Sequence, residues 1–243
     1  MKLQKNNILK NEMWAFIPAR SGSKSIKNKN LKKINGKPLI YYSLQLAKKI
    51  KFIKKIVFSS NSKKYIRIAS KYCSIEAHLR SAVSSSDTAT DYDTFREYFK
   101  LKIKNKEKLP EYFLHLRPTT PYRKKKIVIE AINYFLKNSK KYSALRSVTK
   151  LENSGFRTVL IKKKKLFSLF NKSFYLDPIN KARQLFKNTY IPNGYVDIIK
   201  TINISKNYLH GNKVYGYITM DYNTDFDNEE EFKKTKVFLS SKK

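Results

Sequence analysis

The chain has 243 residues, 41% of them hydrophobic and 14% aromatic, which is enough for one α/β domain with a substantial core and too apolar for intrinsic disorder. Lys and Arg number 53 against 18 Asp and Glu, a formal net charge of +35. The lysines recur along the whole chain rather than in blocks, so they read as solvated faces more than as a nucleic-acid footprint. Cys73 is the only cysteine, which excludes an intrachain disulfide and suits a reducing compartment. Residues 1–12 are polar, so no signal peptide is expected. No run is long enough to span a membrane, and the cytoplasm is the expected location.

An apolar run from Met13 to Ile17, closed by Pro18, reads as a buried strand. It opens into a small polar loop with Arg20, Ser21, Gly22, Ser23, Lys24, Lys27 and Lys29, and no Asp or Glu occurs between Met13 and Ile75. Backbone N–H groups, hydroxyls and fixed positive charge in one loop suit a polyphosphate. Asn35-Gly36 signals a turn, and Pro38 suits the first position of a helix. Leu39, Tyr42, Ser43, Leu46, Ala47 and Ile50 then fall on one helical face. Lys55 to Ser59 reads as a strand, Tyr65 to Tyr72 as helix, and Ile75 to Leu79 as a third strand. This alternation predicts a parallel sheet with right-handed crossovers, whose ligands bind beyond the carboxyl ends of the strands, where the Arg20 loop lies.

Arg80 to Asp93 reads as a capped loop entering a helix that carries Phe95, Tyr98 and Phe99. Glu111 to Leu116 is a further buried strand, followed by a loop stiffened by Pro118 and Pro121. Val128, Ala131, Ile132 and Phe135 mark the core face of the next helix, and Tyr142 to Thr149 the next strand. Thr158 to Ile161 and Leu166 to Phe170 look like a hairpin around the solvated turn Lys162 to Lys165. Six of the 18 carboxylates fall between Asp221 and Glu231. Asp225 and Asp227 can face one hard cation, with Asp221 as an alternative ligand, whereas Glu229 to Glu231 suit the start of a helix. The six glycines form no G-x-G, and neither a Walker A spacing nor G-x-S-x-G occurs. His78, His115 and His210 are scattered, and His115 reads as a core residue. Hydride transfer, P-loop hydrolysis, triad hydrolysis and a His-rich metal site therefore lack support.

The following segments, in this order, resemble the motifs of the acylneuraminate cytidylyltransferases, the CMP-sialic acid synthetases. They are Ala19-Arg20 with Ser23-Lys24 and Lys29-Asn30-Leu31; Arg80 with Ser86-Asp87-Thr88-Ala89; Arg117-Pro118-Thr119-Thr120-Pro121 with Pro192-Asn193-Gly194; and Asp225-Phe226-Asp227. The resemblance implies an α/β, Rossmann-like, mononucleotide-binding domain over residues 1–243, of the nucleotide-diphospho-sugar transferase kind. Its sheet would be mostly parallel and twisted, with helices on both faces and a small dimerisation arm inserted at 151–190. The implied reaction joins CTP to an acidic 2-keto sugar of the nonulosonate class, giving CMP-sugar and pyrophosphate. Ala19, Arg20, Ser23, Lys24, Lys29 and Asn30 would wrap the triphosphate, with Arg20, Lys24 and Lys29 stabilising the leaving pyrophosphate. Arg80, Ser86 and Thr88, with Asp91 as a further candidate, would contact base and ribose. Arg117, Arg157, Arg183 and Asn193 would serve the acceptor, and Asp225 and Asp227 would hold Mg²⁺. The implied assembly is a homodimer.

Three positions depart from the family's pattern: Ser25 where glycine is common, Arg117 in place of a glutamine, and Ile191 where some relatives carry arginine. The alternatives are a CMP-Kdo, CMP-pseudaminic or CMP-legionaminic acid synthetase and, from another class, a non-catalytic nucleic-acid-binding protein.

Overall fold

The computed structural model describes residues 7–23, 26–219, 226 and 228–241. Strand β1 (Ile8–Pro18) is buried from Met13 to Ile17, the run the apolar pattern marks. Its first half is irregular: Asn11 adopts a positive φ of 61°, and the pairing shifts around Met13. Next comes a two-residue hairpin, β2 (Lys33–Ile34) and β3 (Lys37–Pro38), turning on Asn35 and Gly36. Both turn residues have positive φ (49° and 75°), the type I′ geometry that favours Asn-Gly. Helix α1 (Leu39–Lys49) starts one residue after Pro38, which takes the capping position.

Strand β4 (Ile53–Ser60), helix α2 (Lys63–Ser70) and strand β5 (Glu76–Leu79) complete the first half, all close to the expected bounds. Helix α3 (Asp91–Lys104) opens with a capping box: Thr90 Oγ1 accepts from the Asp93 amide, and the Asp93 carboxylate accepts from the Thr90 amide. Strand β6 (Leu109–His115), helix α4 (Lys125–Lys137) and strand β7 (Ala144–Lys150) follow. The hairpin β8 (Val159–Lys162) and β9 (Lys165–Ser168) forms a separate two-stranded sheet. The chain returns in β10 (Tyr190–Lys200) and continues through the short α5 (Thr201–Ser205), β11 (Val214–Ile218) and α6 (Glu229–Ser240).

The main sheet has seven strands in the order β11-β7-β10-β6-β1-β4-β5. All neighbours are parallel except β10, which runs antiparallel between β6 and β7. Helices cover both faces. On one, α1, α2 and α4 bury Leu44, Tyr65, Ala131, Ile132 and Phe135 against Ala15, Ile17, Leu114 and Leu145. On the other, α3 and α5 bury Phe95, Phe99 and Ile204 against Trp14, Phe16, Phe113 and Ile199. Phe16 and Phe95 stack at 4.0 Å between ring centroids. Asn228 caps α6 by accepting from the Glu231 amide, and the helix packs Phe232 and Leu239 with Phe226, Ile26, Ile34 and Leu39.

One expected feature differs. Ile191 to Gly194 is not a turn leading into a strand at Tyr195 but lies inside β10, with Ile191 paired to Thr149 and Pro192 to Val148. A bulge between Pro192 and Asp197 absorbs the irregularity, and Gly194 takes a φ of 65°.

Candidate active site

Strand order reverses direction between β1 and β6, since the chain runs from β1 through β4 to β5 on one side and places β6, β7, β10 and β11 on the other, with β10 inserted between β6 and β7. Sheets of this kind open a crevice there, beyond the carboxyl ends of the strands. A cleft of about 290 Å³ occupies that position, and three segments line it. Arg20, Ser23, Lys29 and Asn30 come from the loop after β1; Arg80, Ser84, Ser86, Thr90, Asp91 and Thr94 from the stretch after β5; Arg117, Pro118 and Thr119 from the loop after β6. Residues far apart in sequence thus meet at the point the parallel pattern predicts.

The β1 loop is held from several sides. Ala19 is fully buried, and its amide donates to the Ser59 carbonyl. Ser21 donates through amide and hydroxyl to Asn61 Oδ1, and Asn30 Nδ2 donates to the Arg20 carbonyl at 2.9 Å. Gly22 has a φ of 81°, so a side chain there would be strained even though no atom crowds the position. Arg20 crosses the cleft and donates to the Ser85 and Ser86 carbonyls and to Asp87 Oδ1 at 3.1 Å, fastening the loop after β1 to the stretch after β5. Lys29 is buried, with its ammonium 5.1 Å from the centre of the Phe226 ring.

Arg80 enters from below, donating from Nε to Ser59 Oγ at 2.9 Å and from Nη2 to the Ser59 carbonyl. Burial lowers its guanidinium to about 10, partly offset by Asp91 and Glu97, so it is charged at neutral pH. His78 pairs with Ser59 Oγ through Nδ1 at 2.9 Å. Burial, opposed by Glu97 and assisted by Arg80, pushes His78 down to about 4. Ser86 lines the cleft; Thr88 is exposed beside it, 3.4 Å away between hydroxyl oxygens.

On the far side Arg117 is spent on two carboxylates. Its Nε and Nη2 donate to Asp91 Oδ2 at 3.1 and 2.6 Å, and its Nη1 donates to Asp197 Oδ2 at 2.7 Å. Burial opposes the charge, but Asp91 and Asp197 outweigh it and hold Arg117 above the ordinary arginine range. Burial likewise opposes ionisation of Asp91, yet its charged surroundings carry it well below the usual carboxylate range. His115, 3.8 Å from Asp91, is itself driven down to about 3 by burial and by Arg117. It is therefore neutral at pH 7, and Arg117 is the group that keeps Asp91 ionised.

Other sequence-predicted residues lie elsewhere. Asn193, expected at the acceptor, is 2% exposed and has its side chain fully engaged inside the fold. Its Oδ1 accepts from Ser147 Oγ and the Tyr195 amide, and its Nδ2 donates to Thr149 Oγ1 and Thr219 Oγ1. Those four bonds exhaust an asparagine and fix the β10 bulge to its neighbours, so no donor or acceptor is left for a ligand. Arg157 and Arg183 are exposed in the segment between β7 and β10 and do not line the cleft; Arg183 donates to the Glu152 carbonyl. Lys24 and Ser25 lie outside the described residues, as do Asp221, Asp225 and Asp227.

Residues 14–243 match the family model described as cytidylyltransferase. The chain belongs to the cytidylyltransferase family. Among curated relatives, it is 29% identical over 240 residues to post-translational flagellin modification protein B of Campylobacter coli, covering 95% of this chain and 96% of that protein. It is 27% identical over 217 residues to the N-acylneuraminate cytidylyltransferase of Escherichia coli O18:K1:H7, covering 89% of this chain but only 48% of that longer protein. Among solved structures, CMP:2-keto-3-deoxy-manno-octonic acid synthetase complexed with CTP superposes with a TM-score of 0.65 over 96% of this chain and all of that one, at 13% identity. That likeness is one of fold.

The described residues of this cytidylyltransferase do not by themselves provide a metal centre. Among them no group of three or more His, Cys, Asp or Glu side chains could hold an ion, and Asp87 and Asp91 in or beside the cleft are paired with arginines. Phe226, between the two expected ligands, is described: it is 1% exposed, 5.2 Å from the Phe232 ring and under the Lys29 ammonium. Phe226 is thereby packed against a cleft-lining side chain. Sequence reasoning missed Asp197 and Arg146, which continue the Arg117 network. The only signal was one carboxylate inside the apolar run from Tyr195 to Ile199.

Proposed function

We propose that this cytidylyltransferase joins CTP to an acidic nonulosonate sugar of the sialic-acid kind, giving the CMP-sugar and pyrophosphate. The observation that carries the reading is the convergence of Arg20, Lys29, Asn30 and Arg80 on one cleft at the switch point of the sheet. In this reading the triphosphate lies along the β1 loop, and the base and ribose lie against the stretch from Arg80 to Thr88. The anomeric hydroxyl of the acceptor attacks the α-phosphorus in line, and pyrophosphate leaves. Arg20, Lys24 and Lys29 offset the charge that grows on the leaving group, the kind of fixed electrostatic stabilisation that lowers a phosphoryl-transfer barrier. Asp225 and Asp227 are the residues that would hold Mg²⁺, which when bound supplies further charge neutralisation on the triphosphate.

The segment at 151–190 supports a dimer. Ile161, Phe174, Tyr175 and Leu185 are each more than half exposed there, an unusual concentration of apolar surface for a chain so rich in lysine. In the dimer Arg157 and Arg183 would approach the partner's cleft. No helix among the described residues is long and apolar enough to cross a membrane.

The test is pyrophosphate release from a panel of CTP, UTP, ATP and GTP against N-acetylneuraminate, Kdo, and pseudaminic and legionaminic acids. CTP with at least one nonulosonate should turn over, and EDTA or Asp227→Asn should abolish most of the rate. Release with UTP but not CTP, or with Kdo alone, would refute the assignment of substrates. Undiminished activity in EDTA would remove the metal.

A further inference from the structure

The expectation that Arg117 grips the acceptor meets an obstacle. Its guanidinium already directs three of its nitrogen atoms at two carboxylates, and its side chain is only 19% exposed. One of those carboxylates, Asp197, is completely buried, so releasing Arg117 to a substrate would strand a charge inside the protein.

The cross-strand register points to a different cation. His115 on β6, Asp197 on β10, Arg146 on β7 and Gly216 on β11 are successive partners, which places them in one row on one face of the sheet, the α3 face. His115 is the last residue of β6, so the row lies level with the floor of the cleft and extends sideways from it. Asp197 Oδ2 is taken by Arg117; its Oδ1 makes no hydrogen bond and lies 3.6 Å from Arg146 Nε. The Nε edge of Arg146 is therefore turned inward and buried, while its side chain as a whole remains 34% exposed. On its other flank stands Gly216, where even an added Cβ would meet nothing closer than Val148 at 3.9 Å. Among the described residues the Arg146 side chain makes no hydrogen bond, so its two terminal nitrogens present an unused fork. Such a fork matches a carboxylate bidentately.

We infer that Arg146, oriented from beneath by Asp197, receives the carboxylate of the acceptor sugar, and that Arg117 is a positioning residue that ties Asp91 on α3 to Asp197 on β10. This rests on the acidic-acceptor reading above and assigns the anion-recognising group within it.

The experiment is steady-state kinetics with CTP and N-acetylneuraminate, or whichever acid of the panel turns over fastest, together with the methyl ester of the same acid. Arg146→Ala should raise KM for the free acid about 10- to 100-fold, with KM for CTP within about twofold, as expected for loss of a charge-assisted contact. Arg146→Lys should recover part of the affinity. The methyl ester has no carboxylate to lose, so wild type and Arg146→Ala should handle it alike. Arg117 still pairs Asp197 in these variants, so their melting temperatures should match wild type. An unchanged KM for the free acid, an equal loss on the ester, or a loss in KM for CTP instead would overturn the assignment. If wild type releases pyrophosphate with none of the acids, the acidic-acceptor reading itself falls, a failure separable from that of Arg146.

Discussion

Replacing Arg117 by leucine tests the buried network most directly. The substitution removes the cation that satisfies Asp91 from two nitrogens and Asp197 from one, while conserving apolar bulk. Removing one partner of a buried ion pair costs about 3–5 kcal/mol, because the survivor stays desolvated and unpaired. Two features place this case at the lower end. Asp91 is 33% exposed, so solvent screens part of its loss, and Arg146 remains 3.6 Å from Asp197 as a residual counter-charge. A loss of about 3 kcal/mol corresponds to a melting temperature lower by roughly 6–12 °C for a chain of this size.

Urea denaturation at pH 7, with a thermal scan alongside, measures it. Adding Asp197→Asn to the Arg117→Leu chain removes the stranded charge and should restore about 1 kcal/mol or more. The pH profile supplies an independent sign. The folded-state value of Asp91 lies below its unfolded value of about 3.9, so its contribution is fully present above that pH and fades as pH falls further. In the Arg117→Leu chain that acid-side loss should largely vanish. A destabilisation below about 1 kcal/mol, or no recovery in the double variant, would refute the reasoning.

Arg20→Ala removes the contacts that fasten the β1 loop to Ser85, Ser86 and Asp87, and should lower kcat/KM for CTP about 10- to 100-fold with the fold intact; full activity would remove Arg20 from the triphosphate site. His78 and His115 are held near 4 and 3, below the ordinary value of about 6.5, so each stabilises the native state above that value and the contribution is lost as pH falls. Melts between pH 7 and 4 should therefore show stability declining by up to about 1.4 kcal/mol per pH unit for each histidine, and His115→Leu should flatten the slope; a level wild-type profile would contradict this. Ile161, 76% exposed in β8 next to the turn of the β8–β9 hairpin, should be part of the dimer contact. Ile161→Lys should shift sedimentation toward monomer, and a monomeric wild type would exclude the dimer.

How much was legible in the sequence follows from the range of each interaction. The runs from Met13 to Ile17 and from Val128 to Phe135 carry the periods of a buried strand and a one-faced helix, and both elements stand where those periods put them. The capping box of Thr90 and Asp93 and the Asn35-Gly36 turn are equally local, and equally readable. The start of β10 was not readable, because Pro192 and Gly194 break strand propensity and only pairing with β7 restores it. Strand β11 escaped because it is an edge strand with alternate positions exposed and none fully buried, its Tyr215 stacking on Tyr134 at the margin of the core. The Arg117 network escaped for a different reason. Its bonds join positions 26 and 80 apart, and nothing near Asp197 in sequence names a partner. Asn193 shows the reverse case: a motif-like residue whose side-chain polar atoms are engaged by contacts distant in sequence.

Strands β7 and β10 are antiparallel neighbours, and so form a hairpin whose connection is the whole stretch from 151 to 189. The two ends of that connection are clasped, with the Leu151 amide donating to the Thr189 carbonyl and Thr189 Oγ1 accepting from the Gly155 amide. The excursion is thus a detachable module in the engineering sense. The register of the two strands is set by their own pairing, so replacing the excursion by a tight turn should leave that register unaltered. The sheet and its cleft answer to one set of constraints, set by the strand ladder, and this excursion to another, set by its own base.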